Sequence, residues 1–244
     1  MEKKDRIDKI IASQGLASRS EVKAMLRRGE ITLNGVVVKD CGVKASYSDV
    51  ICVKGEKLYQ TKYTYIMLNK PRGVVSASTD SRDKTVVDIL SDELKRKNLF
   101  PAGRLDKDTV GFCLITDDGE FAHNILSPSK HVTKTYVARL SNPIDYEKSQ
   151  KSFSDGVVLA DGTVLLSAVL VELEKGDKPL YKVIIKQGKY HQVKKMFLTC
   201  GAEVLELNRI AIGGLLLDDS LNRGEARLIT ESELRSIVEN DETF

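Results

Sequence analysis

Three stretches of this 244-residue chain carry residues whose types and spacing suit chemistry. The first is Gly103-Arg104-Leu105-Asp106-Lys107-Asp108-Thr109-Val110-Gly111. It is a polar loop bounded by glycines, holding two carboxylates just before the apolar run Phe112–Ile115. Taken alone, such a loop is usually an ordinary turn. The second is Gly188-Lys189-Tyr190-His191-Gln192-Val193-Lys194-Lys195-Met196. Basic residues follow a glycine at a predicted helix start, a place that suits an anion such as phosphate. The third is Lys134-Thr135-Tyr136, which sets an aromatic side chain within an alternating strand.

Other chemistries find no support. Cys41, Cys52, Cys113 and Cys200 are widely spaced, and His123, His131 and His191 show no metal-ligand spacing. No metal is therefore expected, and reduced cysteines of a cytosolic protein are the plain reading. Neither a phosphate loop nor a dinucleotide fingerprint is present, so no cofactor is expected. No apolar run reaches the ~18 residues of a membrane span. The first residues lead into an amphipathic segment, not a signal peptide. A composition of 41% hydrophobic and 30% charged residues fits a soluble globular chain. The net charge of +3 is too small to name a partner. Its distribution says more: residues 1–60 hold 12 basic and 8 acidic side chains, whereas residues 229–244 hold one and five. Positive charge is densest toward the N-terminus, which serves an anionic partner.

The elements that must position these residues follow from local signals. Ile7, Ile10 and Ile11 share a helix face, and Gly15 ends that helix. Ser18 and Glu21 form a capping box for a second helix, with Val22, Met25 and Leu26 as its apolar stripe and Gly29 at its end. Arg19, Lys23 and Arg27 line one ridge of that helix, with Arg28 beside them. Asn34-Gly35 between Ile31–Leu33 and Val36–Val38 signals a hairpin. A further strand is expected near Val50–Val53 and a polar linker over Glu56–Lys62. Residues 1–60 thus form a small module of two helices plus a hairpin. Residues 61–244 read as a larger domain with a mostly antiparallel mixed sheet. Its strands are expected at Tyr63–Met67, Phe112–Ile115, Thr133–Leu140, Val164–Glu172, Tyr181–Lys186 and Val204–Ile210. Helices are expected at Glu120–Leu126, Asp145–Phe153 and His191–Cys200, with Val193, Phe197 and Leu198 on one side of the last. A final helix opens at the Thr230/Glu233 capping box, and the acidic tail 239–242 reads as frayed. Strands with helices scattered between them argue for an α+β fold.

Two resemblances join these pieces. Arg6-Ile7-Asp8-Lys9, Gly15-Leu16-Ala17-Ser18-Arg19, Gly29-Glu30-Ile31 and Leu33-Asn34-Gly35 together resemble an S4 RNA-binding domain. The three chemical stretches, in this order, resemble the RNA pseudouridine synthases. Lys70-Pro71-x-Gly73 before them and Leu207-x-Arg209-x-x-Ile212-Gly213 after them extend the match. The S4 module, Asp117-Asp118-Gly119 and the Ser127–Tyr136 segment resemble the ribosomal RNA branch that includes the small-subunit enzyme. One departure is Phe112-Cys113-Leu114-Ile115, where the family commonly has leucines; the apolar pattern is kept.

The resemblance implies a catalytic aspartate at Asp106. It implies an Arg104 that enters the RNA stack beside an extruded nucleotide, and a Tyr136 that packs against the target base. Lys194 falls where the family pairs a cation with the aspartate, and Val183 lies near the apolar residue under the base. Arg19, Lys23, Arg27, Arg28, Lys70 and Arg72 are expected to bind RNA. Uridine must be detached at its glycosidic bond, turned, and rejoined through C5. Asp106 acts on it as a nucleophile or by removing a ribose proton; both stand open. Either role needs the ionised carboxylate, which a nearby ammonium favours. His191 is read as a structural donor, His123 and His131 as surface or RNA-rim residues, and Asp108 as a loop brace. Asp117 and Asp118 are read as turn residues, and the cysteines as small core residues.

The expected function is isomerisation of a uridine in 16S ribosomal RNA, within an assembling small subunit, by a cytoplasmic monomer. The rivals are a synthase acting on 23S RNA and a non-catalytic ribosomal RNA-binding assembly factor on the same fold.

Overall fold

A computed structural model describes residues 4–58, 61–130 and 132–238. The chain divides into two compact units, Met1–Thr64 with Lys95–Asn98, and Tyr65–Leu94 with Leu99–Phe244.

In the first unit, β1 (Asp5–Arg6) runs into α1 (Ile7–Ser13), which buries Ile7, Ile10 and Ile11. The Ser18/Glu21 capping box opens α2 (Arg19–Arg28), and Gly29 closes it in the left-handed region. Val22 and Leu26 complete a small core with Ile31, Ala45 and Ile51. Asn34 and Gly35 both take positive φ, 50° and 83°. That geometry matches the twist of a two-residue hairpin, and it pairs β2 (Ile31–Leu33) with β3 (Val36–Val37). A short β4 (Lys44–Ala45) pairs with β1, and β5 (Ile51–Val53) pairs with β2. The expected linker at Glu56 starts instead as β6 (Glu56–Lys57). Lys54 and Gly55 repeat the positive-φ turn, Val53 pairs with Glu56, and Leu58 closes into the core. Residues 59–60 lie outside the described residues, as do His131 and the acidic tail.

The second unit opens with β7 (Tyr65–Lys70), so Asn69 and Lys70 belong to the strand and not to a following loop. Next come β8 (Phe100–Pro101), β9 (Val110–Thr116) and α3 (Gly119–Leu126). Asp118 is more than a turn residue: it caps α3 by accepting from the Glu120 and Phe121 amides. Then follow β10 (Lys134–Leu140), α4 (Tyr146–Asp155), β11 (Ala168–Glu174) and β12 (Leu180–Ile185). The strand expected from Val164 starts at Ala168; Val164 makes only an isolated bridge to Val158. The chain continues through α5 (Gln192–Thr199), β13 (Val204–Ile212), β14 (Leu215–Leu216), β15 (Ala226–Leu228) and α6 (Glu231–Val238).

The main sheet runs β11-β12-β10-β13-β9-β7-β15, with β14 on β13 and β8 on β9. All its pairs are antiparallel except β9 with β13. Alternation along β7 and β9 sends Ile66, Leu68, Cys113 and Ile115 into one core, and Met67, Phe112 and Leu114 into another. Both faces of these strands are covered, which is why their sequences read as continuous apolar runs. On α5 the inward residues are Val193, Met196 and Phe197, while Leu198 is exposed, a correction to the expected face. Phe197 packs against Phe153 of α4 and Tyr181 of β12 at 5.4 and 6.0 Å. The α+β architecture expected from the sequence is the one observed.

Candidate active site

The loop between β8 and β9 is held mainly by its own backbone. Lys70 at the end of β7 is fully buried, and its ammonium donates to the carbonyls of Pro71, Asp106, Lys107 and Thr109 at 3.1, 3.1, 3.4 and 2.8 Å. The Gly73 amide donates to the Lys107 carbonyl at 2.8 Å. Ser76 both receives the Leu105 amide and donates to the Leu105 carbonyl, each at 3.0 Å. Gly111 ends the loop where β9 meets β13: its φ is 101°, and a Cβ there would lie 2.2 Å from Asn208 Oδ1. Only glycine permits that approach. These contacts aim the Asp106 side chain into an open cleft.

The other wall comes from α5. Lys194 Nζ lies 3.2 Å from Asp106 Oδ2, and 2.7 and 2.9 Å from the two oxygens of Asp108. Burial works against the Lys194 charge, but hydrogen bonds to Asp108 and then to Asp106 outweigh it and hold the ammonium above its ordinary value. The same contact with Lys194 holds Asp108 below the usual carboxylate range. Asp108 is therefore a partner in the cluster, beyond the loop brace expected of it. His191 precedes α5 with a φ of 51° and makes no side-chain cap. Its Nε2 faces Asp106 Oδ1 at 3.4 Å, and Tyr190 stacks on its ring at 3.8 Å. The structural-donor reading of His191 is corrected accordingly.

Tyr136 of β10 forms part of the cleft wall and is only 7% exposed. It pairs with Val183 on one neighbouring strand and with Arg209 on the other. Apolar lining comes from Leu105, Ile185, Val193 and Leu207. Val183 is fully buried and is not among the residues lining the cleft, whereas Ile185, two residues on, lines it. Arg104 is exposed at the rim. Among the described residues, no group of three or more His, Cys, Asp or Glu is arranged to hold a metal ion.

The geometry thus gathers a carboxylate, a cation and an aromatic wall in one open cleft. A family model described as RNA pseudouridylate synthase matches residues 64–199, more than half of the chain. The chain belongs to the RNA pseudouridine synthase family. The synthase also matches the S4 domain model over residues 5–51. An uncharacterized RNA pseudouridine synthase of Bacillus subtilis is 42% identical over 240 residues, spanning 96% of this chain and 98% of the relative. The ribosomal small subunit pseudouridine synthase A of Escherichia coli (strain K12) is 38% identical over 234 residues, spanning 96% and 100%. A crystal structure of a pseudouridylate synthase superposes with a TM-score of 0.65 at 36% identity, covering 95% of this synthase and 99% of the other chain.

Of the residues expected to act, Asp106, Tyr136, Lys194 and Arg104 meet in the cleft of this synthase. Lys70 does not face RNA: it is sealed inside, where its ammonium serves carbonyls of the Asp106 loop, that of Thr109 at 2.8 Å. Arg72 is exposed, 3.7 Å from Glu206. In the S4 unit, Arg19, Lys23 and Arg27 are exposed on α2, whereas Arg28 is engaged by Glu30 at 2.6 and 3.0 Å. Ser76 and Asp108 are the residues that sequence reasoning undervalued. A lone serine in Val75-Ser76-Ala77-Ser78 carries no signal of its own. Asp108 had one, since it stands two residues from Asp106 in the same motif.

Lys194→Met leaves two facing carboxylates without their cation. The expected outcome is a slower synthase, read from single-turnover rates, because the cation that faces both carboxylates is gone. An unchanged rate would remove Lys194 from the machinery.

Proposed function

We propose that this chain isomerises a uridine to pseudouridine in small-subunit ribosomal RNA, with Asp106 as the catalytic carboxylate. The observation that carries this reading is the placement of Asp106 between Lys194 and His191 in a cleft walled by Tyr136. The small-subunit target is supported by near-full-length similarity to proteins named ribosomal small subunit pseudouridine synthase A, including that of Vibrio vulnificus, 38% identical over 95% of this chain. Residues 1–60 serve as the RNA-binding domain and residues 61–244 as the catalytic domain. The protein acts as a monomer in the cytoplasm, on an assembling subunit.

The target nucleotide leaves its stack at a cost of about a few kcal/mol and enters the cleft. Arg104, planar and exposed at the rim, fills the space it leaves. Tyr136 offers an aromatic face to the base, and Ile185 and Leu207 keep water from it. Asp106 then attacks the sugar or removes a ribose proton, with the Lys194 ammonium 3.2 Å from its carboxylate. Mapping pseudouridine chemically in both ribosomal RNAs from cells lacking the protein tests the target. Loss of a 16S site is expected. Loss of a 23S site moves the target to the large subunit, and no loss at all favours an assembly factor.

The exposed ridge of Arg19, Lys23 and Arg27 is assigned to phosphates of structured RNA. Replacing all three by alanine should weaken capture and make the log–log salt slope shallower by roughly 2.7, taking duplex-like contacts. Binding across a salt series checks this, and an unaltered slope would leave the ridge a solvated helix face.

A further inference from the structure

We infer that Arg223 and Arg72 form a phosphate-binding pair for the RNA backbone beside the Asp106 loop, an inference that rests on the proposed reading of that loop as catalytic. Arg223 lies between β14 and β15, in Asn222-Arg223-Gly224. Its guanidinium hydrogen-bonds Asn69 Oδ1 and reaches Asn208 Oδ1 at 3.4 Å. Both acceptors are neutral amides. The charged group that acts on it is Arg72, of the same sign: burial and then Arg72 hold Arg223 below its ordinary value. Arg72 has only long contacts, 3.5 Å to the Leu205 carbonyl and 3.7 Å to an exposed Glu206. Arg227, four residues from Arg223, shows the opposite arrangement, with Glu233 gripping its fork at 2.7 and 3.0 Å.

Both guanidiniums reach β13, Arg72 at the Leu205 carbonyl and Arg223 at Asn208 Oδ1, and like charges set along one strand repel one another. The cost is offset when an anion sits between them, and their planar forks match phosphate oxygens. The frame around Arg223 is rigid. Asn69 is 7% exposed, its amide side chain donates to the Leu221 carbonyl at 2.7 Å, and its backbone bonds Gly224 and Glu225 at 2.7 and 3.0 Å. Asn208 stands against Gly111 at the end of the catalytic loop. Arg72 directly precedes Gly73, whose amide ties it to Lys107 of the same loop. A phosphodiester held by this pair therefore lies along the strand that enters the cleft, and the contact positions RNA without reading its sequence.

The test uses the full chain and 16S and 23S transcripts, with affinity measured across a salt series for the wild type, Arg223→Gln, Arg72→Gln, the double variant and Arg223→Lys. Each glutamine should weaken binding to any transcript and make the log–log salt slope shallower by about 0.7–0.9, and the double variant by about twice that. Arg223→Lys should restore most of the slope. Kinetically, the loss should fall on KM more than on kcat. An unchanged affinity and slope in the double variant overturns the pair, and a lowered melting temperature with that result makes Arg223 a structural brace. Should Arg223→Gln not fold, Arg72→Gln carries the slope test, since Arg72 makes no short bond. Pseudouridine formation by the wild type reports separately on the proposed target. If neither transcript is modified, that target reading fails while the slopes still report on the phosphate site.

Discussion

Asp106→Asn is expected to abolish measurable pseudouridine formation while RNA binding persists. Asparagine keeps the size and one acceptor oxygen but removes the charge that Lys194 and His191 face at 3.2 and 3.4 Å. The fold does not depend on that carboxylate, because the loop is held through its backbone by Lys70, Gly73 and Ser76. Loss of a positioned proton-transfer group costs on the order of 10²–10⁴-fold in rate, and loss of a nucleophile costs more. RNA affinity is expected to hold or improve, since a negative charge near phosphates is gone. The measurement is single-turnover isomerisation alongside a binding titration and a melting curve. Activity within tenfold of wild type in a folded variant would sink the assignment of Asp106.

Lys70→Met should impair the synthase out of proportion to its effect on stability. The buried ammonium serves four carbonyls. Those of Asp106 and Lys107 keep amide partners in Thr109 and Gly73, so the deficit falls on Thr109 and Pro71. The expected destabilisation is about 1–3 kcal/mol. Activity should fall by about 10²-fold, because a displacement of about 1 Å in the catalytic loop is enough. Burial pushes the Lys70 ammonium down to about 8. The lysine is charged below that pH and neutral above it, where it has one fewer N–H to share among the carbonyls. Wild-type activity should therefore fall as pH rises through about 8. Stability moves the other way for this group. Between about 8 and the unfolded value of 10.5 the unfolded chain binds the extra proton, so its contribution to unfolding free energy rises with pH. The alkaline loss of activity is thus expected without unfolding. Lys134, also pushed by burial to about 8, holds the Ile125 and Val132 carbonyls and not the Asp106 loop. Lys70→Met should flatten the alkaline limb and Lys134→Met should leave it in place. The reverse pattern in the two pH profiles would reassign the limb.

What the sequence determined by itself is whatever chemistry acts between near neighbours. The Ser18/Glu21 box starts α2, Asn34-Gly35 turns the first hairpin, and the Thr230/Glu233 box opens α6, because caps and positive-φ turns are satisfied within three residues. The motifs around Asp106, Tyr136 and Lys194 were legible for another reason: their residue types and order resemble a family, whatever the local geometry. Tertiary structure alone decided which charge meets which. Lys194 reaches Asp108 across 86 residues of chain, a distance that no local periodicity encodes. Lys70 and Arg72 are both basic residues of one short motif. Yet the pairing of β7 with β9 buries the first beneath the loop whose carbonyls it serves and leaves the second exposed, 3.7 Å from Glu206. A lysine after an apolar run can end in water or in a cage of carbonyls. The choice depends on how many unpaired carbonyls the neighbouring strands bring to that point, and only the assembled sheet sets that number.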